Sequence, residues 1–112
     1  MRLIGSKAER EFREELIRSN KFLNSENERL SLELRKVGFD LSNSFVLNHI
    51  PEQCEDIFVL FISGSYVVTI EIDKSDSENP AIIEHVELKD YLKGLSKIHQ
   101  IKIAVAMDLM LT

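Results

Sequence analysis

The sequence predicts an α+β fold with an N-terminal helical pair, a small antiparallel sheet with a central hairpin, and a C-terminal helix. Three observations lead there. Residues 6–37 carry apolar positions at helical spacing behind two capping signals. Residues 45–86 hold β-rich runs around a Ser-Gly-Ser connection, and residues 88–110 return to a helical pattern. The length of 112 residues suits a single domain, 1–112, that folds without disulfide or metal staples.

In Ser6-Lys7-Ala8-Glu9 the hydroxyl can take the third helical N–H while the carboxylate reaches back to the Ser6 amide, which is a capping box. Ala8, Phe12, Leu16 and Leu23 then line one face, with Ile17 widening the stripe. Ser25-Glu26-Asn27-Glu28 repeats the box, Leu30, Leu34 and Val37 follow, and Gly38 suits a left-handed helix end. Two consecutive helices, or one bent near Asn24, are expected.

Phe45 to Ile50 is β-prone and stops at Pro51, which lacks the amide that a central ladder needs. The apolar run Ile57 to Ile62, Ser63-Gly64-Ser65 and Tyr66 to Ile72 read as an antiparallel hairpin. Val68, Ile70 and Ile72 share one face, and Val67, Thr69, Glu71 and Asp73 the other, so half-burial is expected there and full burial for the first strand. Lys74 to Pro80 is a loop, and Ala81 to Val86 a short edge strand. From Leu88 onward a helix would align Tyr91, Leu95, Ile98, Ile101, Val105 and Leu109, although Gly94 invites a break. Helices on one face of the sheet complete the expectation.

The composition is 44% hydrophobic and 29% charged, with a formal charge of −5, as in an ordinary folded domain. That charge is unevenly placed. Residues 52–90 hold ten acids against Lys74 and Lys89, whereas residues 1–40 and 91–112 are each slightly basic. An acidic segment repels phosphate and attracts cations, so a nucleic-acid partner is not expected and a basic protein is. No run approaches the roughly 20 apolar residues of a membrane span, and no signal-peptide core follows Met1, so a cytoplasmic protein with no membrane partner is expected.

Catalytic motifs are sparse, and no enzyme, cofactor or metal is expected. Cys54 is the single cysteine, so it forms no intrachain disulfide, and acidic Glu55 and Asp56 disfavour its thiolate; a buried or inert thiol is expected. His49, His85 and His99 show no ligand spacing, and only a chance meeting of His49, Cys54 and His85 would hold an ion. Asp56 with Glu71-Ile72-Asp73-Lys74 superficially matches a metal-dependent nuclease, but Ile72 occupies the position where the acid-x-Lys triplet needs its acid. Leu16, Leu23, Leu30 and Val37 recur every seven residues as in a zipper. Arg13, Asn20 and Asn27 would share that core, so intramolecular packing is preferred and a homodimer through 6–37 is not favoured.

Ile50-Pro51-Glu52-Gln53-Cys54-Glu55-Asp56-Ile57-Phe58, running into the hairpin, is one notable stretch; Tyr91 to Lys97 leading into Gln100 to Leu109 is the other. Their arrangement resembles small bacterial immunity proteins paired with contact-dependent growth inhibition toxins, over about half the chain and without a diagnostic motif. The resemblance implies a cytoplasmic protein that binds and neutralises a cognate, basic toxin domain, typically a nuclease. Glu52, Glu55 and Asp56 at one end of the hairpin, with Glu71, Asp73, Asp76 and Glu78 at its exit, are the candidate contacts, because an antiparallel hairpin brings its open ends together. The alternative is a non-enzymatic adaptor that dimerises through the N-terminal helices.

Overall fold

The computed structural model describes residues 3–111. Helix α1 (Lys7–Lys21) opens on the expected capping box. The Glu9 amide donates to Ser6 Oγ at 3.2 Å, and the Ser6 amide donates to Glu9 Oε2 at 2.5 Å. Burial pushes the Glu9 carboxyl up, but hydrogen bonds from the backbone at Ile4, Ser6 and Gly5 outweigh it and hold the group below its ordinary value.

A π-helical turn at Phe22–Glu26 separates α1 from α2 (Glu28–Lys36), which is the bend expected near Asn24. The second cap lies two residues later than expected. Ser25 is inside the π turn, where its hydroxyl donates to Lys21 O, and Asn27 Oδ1 accepts the Leu30 amide at 3.1 Å instead. Helix α2 ends at Gly38 (φ 90°), with the Gly38 amide on Arg35 O and the Phe39 amide on Leu34 O, the paired bonds of a Schellman motif.

Strands β1 (Phe45–Pro51), β2 (Glu55–Ile62), β3 (Tyr66–Asp73) and β4 (Ile82–Val86) form an antiparallel sheet in sequence order. Between β2 and β3, Ser63 (φ 50°) and Gly64 (φ 68°) both take the positive φ that a tight hairpin turn needs. A Cβ on Gly64 would also collide with the Met110 thioether. The C-terminal segment breaks at Gly94 into α3 (Leu88–Lys93) and α4 (Lys97–Met110), the latter capped by Ser96.

Helices cover both faces of the sheet, not one. Even-numbered residues of β2 and β3 (Phe58, Leu60, Ile62, Val68, Ile70, Ile72) pack against Leu23, Leu30 and Leu34 of the π turn and α2. On the other face Phe45, Leu47, Phe61 and Val67 pack against Leu16 of α1 and Ile103, Val105 and Ala106 of α4. Val67 and Val68 are therefore both fully buried, and the half-burial expected of β3 begins only at Thr69. Full burial of β2 holds for Phe58, Leu60, Phe61 and Ile62, whereas Ile57 and Val59 stay partly open.

Two of the expected stripes each depart from this packing at one residue. Ile17 is 54% exposed, because the line through Phe12, Leu16 and Ser19 is what meets β1 and α4. Ile98 is 45% exposed, and the buried face of α4 runs through Lys102, Ile103, Val105 and Ala106. Val105 is buried and Tyr91, Leu95, Ile101 and Leu109 pack against the same cluster, so Ile98 alone leaves the stripe expected there.

Candidate functional site

Strand alternation decides which acids stand together. Residues paired across an antiparallel ladder point to the same side of the sheet. Glu55 pairs with Asp73, so those two share a face, and Glu71 shares it two residues along β3. The same three line a small pocket of about 130 Å³ with Cys54 and Ser75. Asp56 faces the opposite side, opposite Ile72, where its Oδ1 lies 2.9 Å from His49 Nε2 and 3.7 Å from Lys74 Nζ. The residues of the nuclease-like arrangement are thus split between two faces. Glu52 sits in the exposed β1–β2 turn, and Asp76 and Glu78 in the β3–β4 loop.

Asp73 is saturated by its own loop. Its Oδ1 accepts the Ser75 amide (2.8 Å), the Ser75 hydroxyl (2.7 Å) and the Asp76 amide (3.1 Å), and Oδ2 accepts Asn79 Nδ2 (2.9 Å). The Asn79 side chain first, then Ser75, hold its carboxyl well below the usual carboxylate range. Asp76 Oδ1 accepts the Glu78 amide, and the Arg29 guanidinium donates to the carbonyls of Asp73, Asp76 and Asn79. Both aspartates belong to the loop's internal bracing.

The acid-bearing face is partly open at that end, where Glu55, Ile57, Glu71 and Asp73 are half-buried beside Ser75, Asn79 and Pro80 of the β3–β4 loop. Helices α1, α3 and α4 cover the hairpin-turn half, over Phe45, Phe61 and Val67. Beyond them Ile50, Ile57, Glu71 and Ile82 form one cross-strand row, with Ile50 39% and Ile82 57% exposed and all three isoleucines outside both core clusters. Glu84 flanks the row on one side, opposite Thr69, and Glu55 with Asp73 flank it on the other. None of the four strands carries a Lys or Arg. Glu84 and the isoleucine row were not singled out from the sequence; the alternation of β4, once paired to β3, is the signal that finds them.

Other residues resolve differently. Leu16, Leu23 and Leu30 of the heptad are fully buried in the chain's own core. Arg13 pairs with Asp108 at 2.7 Å, and Asn20 donates to the carbonyls of Leu41, Ser42 and Ser44. Cys54 is exposed, not buried. His49 stacks on Phe58 and His85 packs on Tyr66, but β1 and β4 are held apart by the two central strands. Among the described residues no group of three or more His, Cys, Asp or Glu is placed to hold a metal ion, and no helix is long and apolar enough to cross a membrane.

A cavity of about 690 Å³ lies along the outer side of β1 between α1 and α4. Lys102 is in its wall, 8% exposed, donating to Glu15 Oε1 at 2.9 Å and Leu47 O at 2.8 Å, with the Phe12 ring 5.8 Å away. Arg18 and Lys102 balance Glu15 and Glu26 across this lining, so it selects no sign of charge. The partly open end of the sheet combines an apolar row with acids on both sides. Comparison with protein-family models, curated proteins and solved structures finds no match.

Proposed function

We propose that the chain is an immunity protein that binds and neutralises a cationic toxin domain, acting as a binding partner and not as an enzyme. One observation carries this reading: Ile50 and Ile82 are exposed and Ile57 is partly exposed in a row that includes Glu71 and is flanked by Glu55 and Glu84, on a sheet whose strands carry no Lys or Arg. Apolar anchors supply most of the energy of an interface, while charge raises the rate of encounter and selects the partner. A nuclease toxin fits this surface, because a cleft that holds phosphates is basic. The encounter would take place in the cytoplasm, where such a toxin acts.

The test is protection of cells expressing a toxin domain encoded beside this chain's gene. The wild type is expected to restore growth and to bind the purified toxin one to one, with association slowing as salt rises. Reversing Glu55, Glu71 and Glu84 together to Lys should slow association about tenfold or more at low salt. Undiminished association and protection by that variant would overturn the reading.

A further inference from the structure

The two outer edges of the sheet are treated differently. On β1 the Val46 amide donates to Ser19 Oγ at 3.1 Å, and Lys102 Nζ donates to Leu47 O at 2.8 Å. Pro51 has no amide to offer at the strand's end. That edge is closed by side chains and blunted by proline. The outer edge of β4 has no such cover. Among the described residues, no hydrogen bond from a side chain or loop reaches the backbone of Ile82–Val86, and Ile82, Glu84 and His85 are exposed. Neither Pro nor Lys, the usual guards of an exposed edge, occurs within it.

We infer that β4 is a strand-addition site, and that its occupant is an extended segment of a basic partner which continues the sheet beyond β4. Backbone pairing supplies the register, and alternate side chains supply specificity. On the acid-bearing face the added strand meets Ile82 and Glu84, so it carries an apolar residue and a Lys or Arg two positions apart. A second copy of this chain fits poorly. In the register that pairs all five residues of β4 with their counterparts, Glu84 faces Glu84, and like charges directly opposite each other are unfavourable. Two chains of charge −5 also repel. The charge of the partner rests on the proposed neutralising function; the open edge does not.

Synthetic peptides test it without a toxin. The probes are a short capped peptide alternating Val and Lys, its Val and Glu counterpart, and a fully N-methylated Val and Lys form that keeps charge but cannot donate. Amide NMR of the whole chain is expected to show perturbation centred on 82–86, and slower exchange of the outward β4 amides, with the Val and Lys peptide alone. Glu84→Lys should weaken that peptide about fivefold or more and strengthen the Val and Glu peptide. Equal binding of the N-methylated form, perturbation centred on the cavity beside β1, or peptide-free dimers with protected β4 amides would each overturn strand addition. If the peptides fail while a toxin is still neutralised, only strand addition falls. If the peptides bind while no toxin is neutralised, only the proposed function does.

Discussion

Asn20→Leu separates the zipper arrangement from the fold. In a heptad core, Leu at position 20 would replace a polar residue between Leu16 and Leu23 and would strengthen a dimer. In the folded chain, Asn20 Nδ2 reaches Leu41 O at 3.3 Å, Ser42 O at 3.1 Å and Ser44 O at 2.8 Å, sharing two protons among three carbonyls. Leu41 O also accepts Asn24 Nδ2 at 2.9 Å, and Ser42 is exposed to water. The loss therefore falls on Ser44, a fully buried residue at the start of β1. One to two net hydrogen bonds at about 1 kcal/mol each give a cost of about 1–2 kcal/mol. For a domain of this size that lowers the melting midpoint by about 4–8 °C. Circular dichroism melts read the loss, and light scattering reads the oligomeric state. A monomer with a lowered midpoint is expected; a stabilised dimer would refute the assignment of Asn20 to loop bracing.

Lys102→Met should cost about 1–3 kcal/mol, because Leu47 O loses a charged donor, and amide exchange along β1 should quicken. Glu15→Gln should cost under about 1 kcal/mol, since the Glu15 side chain is 51% exposed and remains hydrated; equal costs for the two variants would refute this account. The Asp73 carboxyl has a folded-state value below its unfolded one, so the stability it supplies is complete above the ordinary carboxylate range and is lost as pH falls through the folded value. Melting midpoints of wild type and Asp73→Ala should differ at neutral pH and converge in strong acid; parallel curves would show that the four hydrogen bonds to Asp73 contribute nothing.

Features written in adjacent residues were legible in the sequence. The Ser6–Glu9 box, the left-handed Gly38, the Ser63–Gly64 turn and the break at Gly94 each depend on a few neighbouring backbone angles, and each stands where the sequence places it. Features set by distant partners were not. Burial of Lys102 requires Leu47 of β1 and Glu15 of α1, separated from it by 55 and 87 positions. The shift of the second cap from Ser25 to Asn27 depends on a π turn that local propensity does not announce. The acids show the same division. Their concentration in 52–90 is countable, but which of them share a side follows from strand register, and that register put Asp56 behind the sheet and brought Glu84 to the front.

Register also sorts the acids by what they are free to do. Asp56 is held by His49 and Lys74, Asp73 by Ser75, Asp76 and Asn79, and Asp76 by the Glu78 amide. Arg29, reaching from α2, ties three carbonyls of the same loop. With the loop braced, β4 is presented in one register beside Glu71, and Glu84 stands at a fixed spacing from Ile82. The aspartates thus build the surface, and Glu55, Glu71 and Glu84, whose side chains have no hydrogen-bond or ion-pair partner among the described residues, are the glutamates on its acid-bearing face. Conversion of the aspartates should therefore disturb the shape and stability of the loop, whereas conversion of the glutamates should change binding and leave the fold intact.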